Sequence, residues 1–291
     1  MEQPFLAHWD LERIAALLLE AGNTALRHFD APESTLKSDL TPVTVADRAV
    51  EKLFAAVCDR PADGVRMIGE ETVAGRDETY LQAALHTDRC FVVDPIDGTA
   101  PYTAHLPLWG ISVGFMEHGI LREGAVYLPA SDECLATSQG RILHRHLRAE
   151  KVWHDFTPSR AVLSPAGYIA VGQRMAHHFV FMCSNQLFAW SSAVASLYWV
   201  LTGHMMAYFG DFKLWDVAGM LPILKLAGFK TIRDGAAPKE LSLDLADGDF
   251  VLDAGSPARW RVAGPVIAAA SPDIIEFIRQ NSRDSRKDAN L

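Results

Sequence analysis

Apolar residues recur at helical spacing through residues 9–30, where Leu11, Ile14, Ala15, Leu18, Ala21 and Ala25 share one face and Glu12, Arg13 and Glu20 lie opposite. The spacing predicts an amphipathic helix that stops at the breaker cluster Asp30-Ala-Pro-Glu-Ser. A second helix is predicted after Thr44, with Val50, Leu53, Phe54 and Val57 as its stripe. Apolar runs of strand length follow at 65–68, 90–93, 111–115, 121–127 and 134–137, several ending in Gly, Pro or Asp. The basic stretch 141–155 reads as a change of register between two halves. Beyond it, strands are expected at 161–163, 179–183, 204–209, near 231 and 251, and within 262–269. Helices are expected at 168–178, 191–201, 215–227 (ended by Gly228) and from Ser271, with a charged, fraying tail over 281–291. Strands alternating with helices argue a layered α/β arrangement, divided into an α+β half over 1–150 and an α/β half over 151–291.

Composition narrows the class. Of 291 residues, 49% are hydrophobic and 22% charged, which excludes a disordered, collagen-like or fibrous chain. The 27 Lys and Arg against 36 Asp and Glu leave a net charge of −9. That balance disfavours nucleic acid as a partner, while a small phosphate ester held through metal ions stays compatible, because the metal reverses the local sign. Cys58, Cys90, Cys134 and Cys183 form no CxxC and have no His pair at zinc-finger spacing, as expected of free thiols in a reducing compartment. The start Met-Glu-Gln-Pro has no basic n-region, so a cytoplasmic protein without a secretory signal is expected. Residues 175–210 lack Asp, Glu, Lys and Arg, but Ser184, Asn185, Gln186, Ser191, Ser192 and His204 interrupt the run. A buried core helix is therefore expected there, and no membrane span.

Candidate chemistry lies where apolar strands end in acids. In Phe91-Val-Val-Asp-Pro-Ile-Asp-Gly-Thr99 a strand runs into Asp94 and Asp97, with Pro95 turning the chain between them. Both carboxylates and the Ile96 carbonyl can then address one point, an all-oxygen set suited to Mg²⁺. Alternatively the segment is a surface Asx turn with a helix cap. Gly98 and Thr99 open what reads as a helix, whose amides can hold a phosphate oxygen. Upstream, Met67-Ile-Gly-Glu-Glu-Thr72 ends a strand in adjacent acids. Glu70 and Glu71 cannot both point the same way in extended chain, so one faces a metal and the other positions water or a neighbour, unless both sit in a solvated loop. In Leu214-Trp-Asp-Val-Ala-Gly219, Asp216 reads alone as a helix N-cap. In Thr41-Pro-Val-Thr-Val-Ala-Asp47, Thr44 and Asp47 are common helix starters.

Taken together, TPVTVAD (41–47), GEE (69–71), DPIDGT (94–99) and WDVAG (215–219) resemble the inositol monophosphatase family of metal-dependent phosphatases, in order and separation. The resemblance implies a layered α-β-α-β-α sandwich like that of fructose-1,6-bisphosphatase, and commonly a homodimer. It implies two or three Mg²⁺ ions held by Glu70, Asp94, Asp97 and Asp216 with the Ile96 carbonyl. It implies Asp47 and Thr99 as the pair that orients and deprotonates the attacking water, with Glu70 assisting, and the Gly98 and Thr99 amides as phosphate donors. Phosphate monoesters are dianions that resist attack, and divalent cations answer this by neutralising charge and acidifying water. Without metal, such clustered acids repel one another and shift upward in pKa.

The alcohol-binding side departs from the family. Inositol-cleaving members carry an acid seven residues before the WD aspartate; here that position is Phe209, itself read as a core aromatic with Trp190, Tyr198 and Trp199. Asp211 and Lys213 lie nearby and can substitute for that acid without being equivalent positions, so Phe209 and Asp211 both stand as candidate substrate contacts. Ala100-Pro-Tyr102 replaces the usual polar residue, Asn and Phe, and SQGRILHRH replaces a Gly-rich hairpin. Ser191 and Ser192 either approach substrate or cap a helix, and Lys37 lies either over the mouth of the site or on plain surface. His144 and His146 share a strand face, read as solvated because no third ligand is evident. The expectation is a phosphomonoesterase for a polyol, sugar or amino-alcohol phosphate. The alternatives are a 3′(2′),5′-bisphosphate nucleotidase, a histidinol phosphatase, a fructose-1,6-bisphosphatase, and a regulatory protein that kept the fold without turnover.

Overall fold

The structure, a computed structural model, describes residues 5–36 and 42–286; Lys37 and Thr41 lie outside that range. Asp10 caps α1 (Leu11–Phe29), which buries Ile14, Ala15, Leu18, Ala21 and Ala25, the face that the spacing predicts. The ribbon of β1 (Ser34–Leu36) and β2 (Pro42–Thr44) leads into α2 (Val45–Cys58), which Thr44 and Asp47 close with a capping box. There follow β3 (Val65–Gly69), α3 (Glu78–His86), β4 (Arg89–Asp97), α4 (Thr99–Thr103), β5 (Gly110–Glu117), β6 (Ile120–Leu128), β7 (Glu133–Ser138), β8 (Arg141–Arg145) and β9 (His154–Asp155). These seven strands form one sheet in sequence order, with β3 and β4 parallel and every later pair antiparallel.

The rest of the chain adds β10 (Ile169–Val171), α5 (Gln173–His178), β11 (Phe179–Phe181), β12 (Leu187–Phe188), α6 (Ala193–Leu201) and β13 (Ala207–Gly210). It continues with α7 (Leu214–Ala218), α8 (Met220–Leu226), β14 (Lys230–Arg233), β15 (Lys239–Glu240), β16 (Val266–Ala269), α9 (Pro272–Gln280) and β17 (Ser282–Asp284). Six of these strands form a second sheet, β12-β10-β13-β16-β14-β15, while β11 and β17 pair as a separate ribbon.

Alternation along the strands sorts the core into three bodies. Phe91, Val93, Val113 and Tyr127 face α1 and α2 on one side of the first sheet. Val92, Met116, Val126 and Leu135 face the other way, against α6, α7 and α8, which are covered in turn by Tyr208, Val266 and Ala268 of the second sheet. The far side of that sheet, with Ile169, Phe209 and Ile267, packs on Met175 of α5 and on Ile274 and Ile278 of α9. The order is helix, sheet, helix, sheet, helix: the α-β-α-β-α sandwich. No helix among the described residues is long and apolar enough to cross a membrane, and the apolar run expected to be a core helix includes α6, which is almost wholly buried. All four cysteines are free thiols.

Several expected elements differ. The stretch 141–155 is not a change of register but strands β8 and β9, the outer edge of the first sheet. The β7–β8 connection is a two-residue turn with positive φ at both Gln139 (52°) and Gly140 (73°), so a tight hairpin forms with one glycine. No strand forms at 161–163, and the helix expected at 168–178 begins as buried strand β10 before turning into α5. The helix expected over 215–227 is two helices, because Pro222 has no amide to bond the Ala218 carbonyl. Residues 282–284 pair with β11, and the described chain ends at 286.

The joint between α7 and α8 lies unusually close to the first sheet. A Cβ on Gly219 would come 2.4 Å from the Ala125 carbonyl oxygen, and one on Gly124 would come 2.2 Å from that of Gly219. Gly219→Ala should therefore lower stability by about 1–3 kcal/mol through overpacking, read as a lower urea midpoint; an unchanged midpoint would show that the layers can part at no cost.

Candidate active site

Three carboxylates from distant parts of the chain converge on one cleft. Ligand-capable oxygens of Asp94, Asp97 and Asp216 lie within 4.8 Å of one another. The cleft, about 430 Å³, is also lined by Pro42, Glu70, Ile96, Gly98, Thr99, Ala100, Gln173, Ser191, Asp211, Lys213 and Arg261.

Local structure explains each placement. At the end of β4 the pairing with β5 shifts register between Asp94 and Asp97, the irregularity expected from Pro95. Asp94 Oδ1 accepts the Ile96 amide at 3.1 Å, an Asx turn that aims the strand end into the cleft. Asp97 is held from across the molecule by the start of α6: the Ser192 hydroxyl and the amides of Ala193 (3.1 Å) and Val194 (2.7 Å) all donate to it. Asp216 is not the N-cap but the third residue of α7, and its Oδ2 accepts the Lys213 amide at 2.8 Å. Glu70 lines the cleft, with Lys213 Nζ 3.3 Å from its Oε1. Glu71 lies near enough to Asp47 to push that carboxyl up, somewhat more than Glu70 does.

Asp47 is fully buried behind the cleft. Its Oδ2 accepts from the Thr44 amide (2.7 Å) and hydroxyl, while Oδ1 accepts from the Thr99 hydroxyl at 3.3 Å. That hydroxyl is also 3.1 Å from the Ile96 carbonyl oxygen. Gly98 takes φ +93°, and a Cβ there would come 2.8 Å from Ser192 Cβ, so glycine is needed where the DPIDGT turn meets α6.

Burial is the largest cause of the upward shifts, ahead of mutual repulsion. It raises Asp47 and Asp97 each to about 6, against the hydrogen bonds from Thr44 and from Ser192, Val194 and Ala193. Asp216 rises to about 8, with Asp97 and Glu70 adding to burial. Asp94 rises well above the usual carboxylate range through burial, then Glu70, Asp97 and Asp216. A buried set of oxygens whose charge the protein leaves largely uncompensated fits a hard divalent cation.

On the alcohol side the expectations divide. Ser191 lines the cleft with φ +59° and donates to Gln173 Oε1 at 3.1 Å. Ser192 does not line it: this serine caps α6 and holds Asp97. Phe209 is not a substrate contact, contrary to its aligned position. Its ring is wholly buried against Phe179 and Phe181, on the far side of the second sheet, so only its reading as a core aromatic stands. Asp211, two residues on, does line the cleft, and is bridged by Arg174 (2.9 Å) and Arg261 (3.0 Å).

Three contributors to the site carry little or no signal in the sequence. Glu51, almost fully buried, accepts the Glu71 and Thr72 amides at 2.8 and 2.9 Å and so shapes the GEE loop. Its signal was an acid one turn after Asp47, on the face that also carries Val50 and Phe54. Gln173 and Arg261 carried no signal, since they reach the cleft from α5 and from the strand-poor stretch before β16.

The chain matches the model of the inositol monophosphatase family over residues 7–276. It is 36% identical to a histidinol-phosphatase of Mycobacterium tuberculosis over 140 residues, 47% of this chain and half of that relative. To an inositol-1-monophosphatase of Mesorhizobium japonicum it is 26% identical over 230 residues, 75% of this chain and 83% of the relative. Its fold is similar to that of an IMPase/NADP phosphatase solved with Mg²⁺ and phosphate (TM-score 0.64, 14% identity, 93% of this chain and 95% of that one). It is similar also to a Thermotoga maritima IMPase (TM-score 0.61, 18% identity, covering 93% and 96%).

The raised carboxyls fix the sign of a pH effect. Between pH 3.8 and about 8, Asp216 is ionised in the unfolded chain and protonated in the metal-free fold. Unfolding there releases a proton, so metal-free stability falls as pH rises through this window. Urea midpoints measured across it in EDTA should decline with pH, and Mg²⁺ should flatten the decline; a flat profile without metal would contradict the burial of these charges.

Proposed function

The chain belongs to the inositol monophosphatase family, and on that premise we propose that it is a Mg²⁺-dependent phosphomonoesterase acting on a small phosphate ester. The observation that carries the reading is the convergence of Asp94, Asp97 and Asp216 in one cleft, with Glu70 on its wall and the Asp47–Thr99 pair beside it. Asp94, Asp97, Asp216, Glu70 and the Ile96 carbonyl are the proposed ligands, and the ions they hold supply charge neutralisation and a more acidic water.

The remaining work falls to the chain itself. Thr44 locks one oxygen of Asp47, so the other can take the Thr99 proton while the Thr99 hydroxyl receives one from water. A carboxyl held near 6 is matched to that exchange at neutral pH. Gly98 and Thr99, at the cleft wall where β4 gives way to α4, present backbone to the phosphate. Asp97 keeps its orientation because the first turn of α6 donates to it.

The arginines around Asp211 favour one substrate reading over another. Arg174 and Arg261 together outnumber the single carboxylate that they clamp, and Arg261 lines the cleft, so one guanidinium charge there is left over for a ligand. That suits a second anionic group on the substrate, as in a bisphosphate, better than the cationic amine of histidinol phosphate. A regulatory protein without turnover gains no support, since every proposed side-chain ligand is acidic and three of those acids meet.

Phosphate release from inositol, sugar, histidinol and adenosine bisphosphate esters, with Mg²⁺ and with EDTA, tests the reading. Metal-dependent release from at least one ester is expected, and none from any would overturn it. Asp94→Asn and Asp216→Asn should each lower kcat by roughly 100-fold or more with an unchanged circular dichroism spectrum; retained turnover would remove both from the ligand set. If the arginine pair reads a second anion, Arg261→Gln should raise KM for the bisphosphate by about tenfold and leave KM for a neutral-alcohol ester in place.

A further inference from the structure

The hairpin of β7 and β8 gathers a second set of donor groups that shares no residue with the cleft. His144 and His146 lie two residues apart in and just past β8, so both project from one face. The register pairs Leu135 with His144 and Cys134 with Arg145, which brings Glu133 at the start of β7 opposite the same two histidines. His144 Nε2 hydrogen-bonds Glu133 Oε2, and His146 Nδ1 stands 3.8 Å from that same oxygen. One donor atom from each of the three lies within 4.8 Å of the others. The third partner that two alternating histidines lacked in the sequence is thus Glu133, which the hairpin supplies.

The surroundings hold these groups in place. All three are half-buried, the two imidazoles meet edge to face at 4.8 Å, and Phe156 packs against His144. His146 Nδ1 is also 3.1 Å from the Asp132 carbonyl oxygen, a contact that the ring gives up when that nitrogen takes the ion. Tyr198 of α6 lies against Glu133; burial together with that carboxylate pushes its phenol up. A simple ion pair needs one imidazole and one carboxylate, whereas here a second imidazole turns to the same oxygen.

We propose that Glu133, His144 and His146 form a separate cation site for one borderline divalent ion of the Zn²⁺ class, linking β7 to β8. Two imidazoles and a carboxylate suit Zn²⁺, Co²⁺ or Ni²⁺, while Mg²⁺ prefers oxygen donors throughout. Ligands at about 2.0–2.2 Å from a tetrahedral ion lie roughly 3.3–3.6 Å apart, so small side-chain rotations suffice, with water in the fourth position. Because the ligands come from two strands at the outer edge of the first sheet, the ion acts on stability and leaves the chemistry of the cleft alone.

The test is equilibrium dialysis of the full chain against Zn²⁺ in saturating Mg²⁺, followed by metal analysis, with the double variant His144→Ala/His146→Ala alongside. Wild type should hold one more equivalent of Zn²⁺ than the double variant, and its Tm should rise with Zn²⁺ while that of the variant does not. Mg²⁺-dependent turnover in the absence of Zn²⁺ should be alike in both. Glu133→Gln, which keeps both rings, should bind that equivalent at least tenfold more weakly, and it carries the test if the double variant does not fold. Equal Zn²⁺ stoichiometry in wild type and the histidine variant, or Zn²⁺ affinity unchanged in Glu133→Gln, would overturn the proposal.

Discussion

Asp97 and the first turn of α6 are the contact on which the rest of the molecule turns. A carboxylate this deeply buried carries a penalty of several kcal/mol unless donors meet it. Ser192, Ala193 and Val194 do so from nearly a hundred residues away. The same contact joins the end of β4 in the first sheet to the helix layer that supports the second. Site and scaffold are therefore one construction: the groups that orient a buried acid also lock two layers together.

The middle helix layer shows the complementary constraint. For α7 to present Asp216 beside Asp94 and Asp97, its end must sit almost on the backbone of β5 and β6, and Gly124 and Gly219 leave room for that. Ser112 strengthens the approach, donating to the Trp215 carbonyl and accepting the Gly219 amide. Close packing converts sequence-distant acids into neighbours, and burial then raises their pKa values. The proposed affinity for cations rests on packing as much as on the choice of acidic residues.

The two ends of the cleft differ in character. The end at Asp94, Asp97, Gly98 and Thr99 is built from backbone turns and carboxylates whose partners lie within the same motifs or in α6. The other end is assembled from single side chains, Gln173, Ser191, Asp211 and Arg261, brought in from separate elements. Chemistry common to a family can persist at the first end while the second varies by one residue at a time, which is why the aligned position, Phe209, gave a misleading cue while Asp211, two residues on, lines the cleft.

By itself the sequence determined the elements whose periodicity is strong, α1, α2 and strands β3 to β7 of the first sheet, and the motifs whose chemistry is local. DPIDGT carries its own turn, and TPVTVAD its own capping box, because those hydrogen bonds span three residues or fewer. Only the tertiary structure decided that Ser192 serves Asp97, that Glu51 holds the GEE loop, that Asp211 and not Phe209 faces the cleft, and that Glu133 joins His144 and His146. Each of these depends on strand register or on contacts between layers. Spacing along the chain carries no information about which residue will stand across a sheet or beneath a helix until the core has packed.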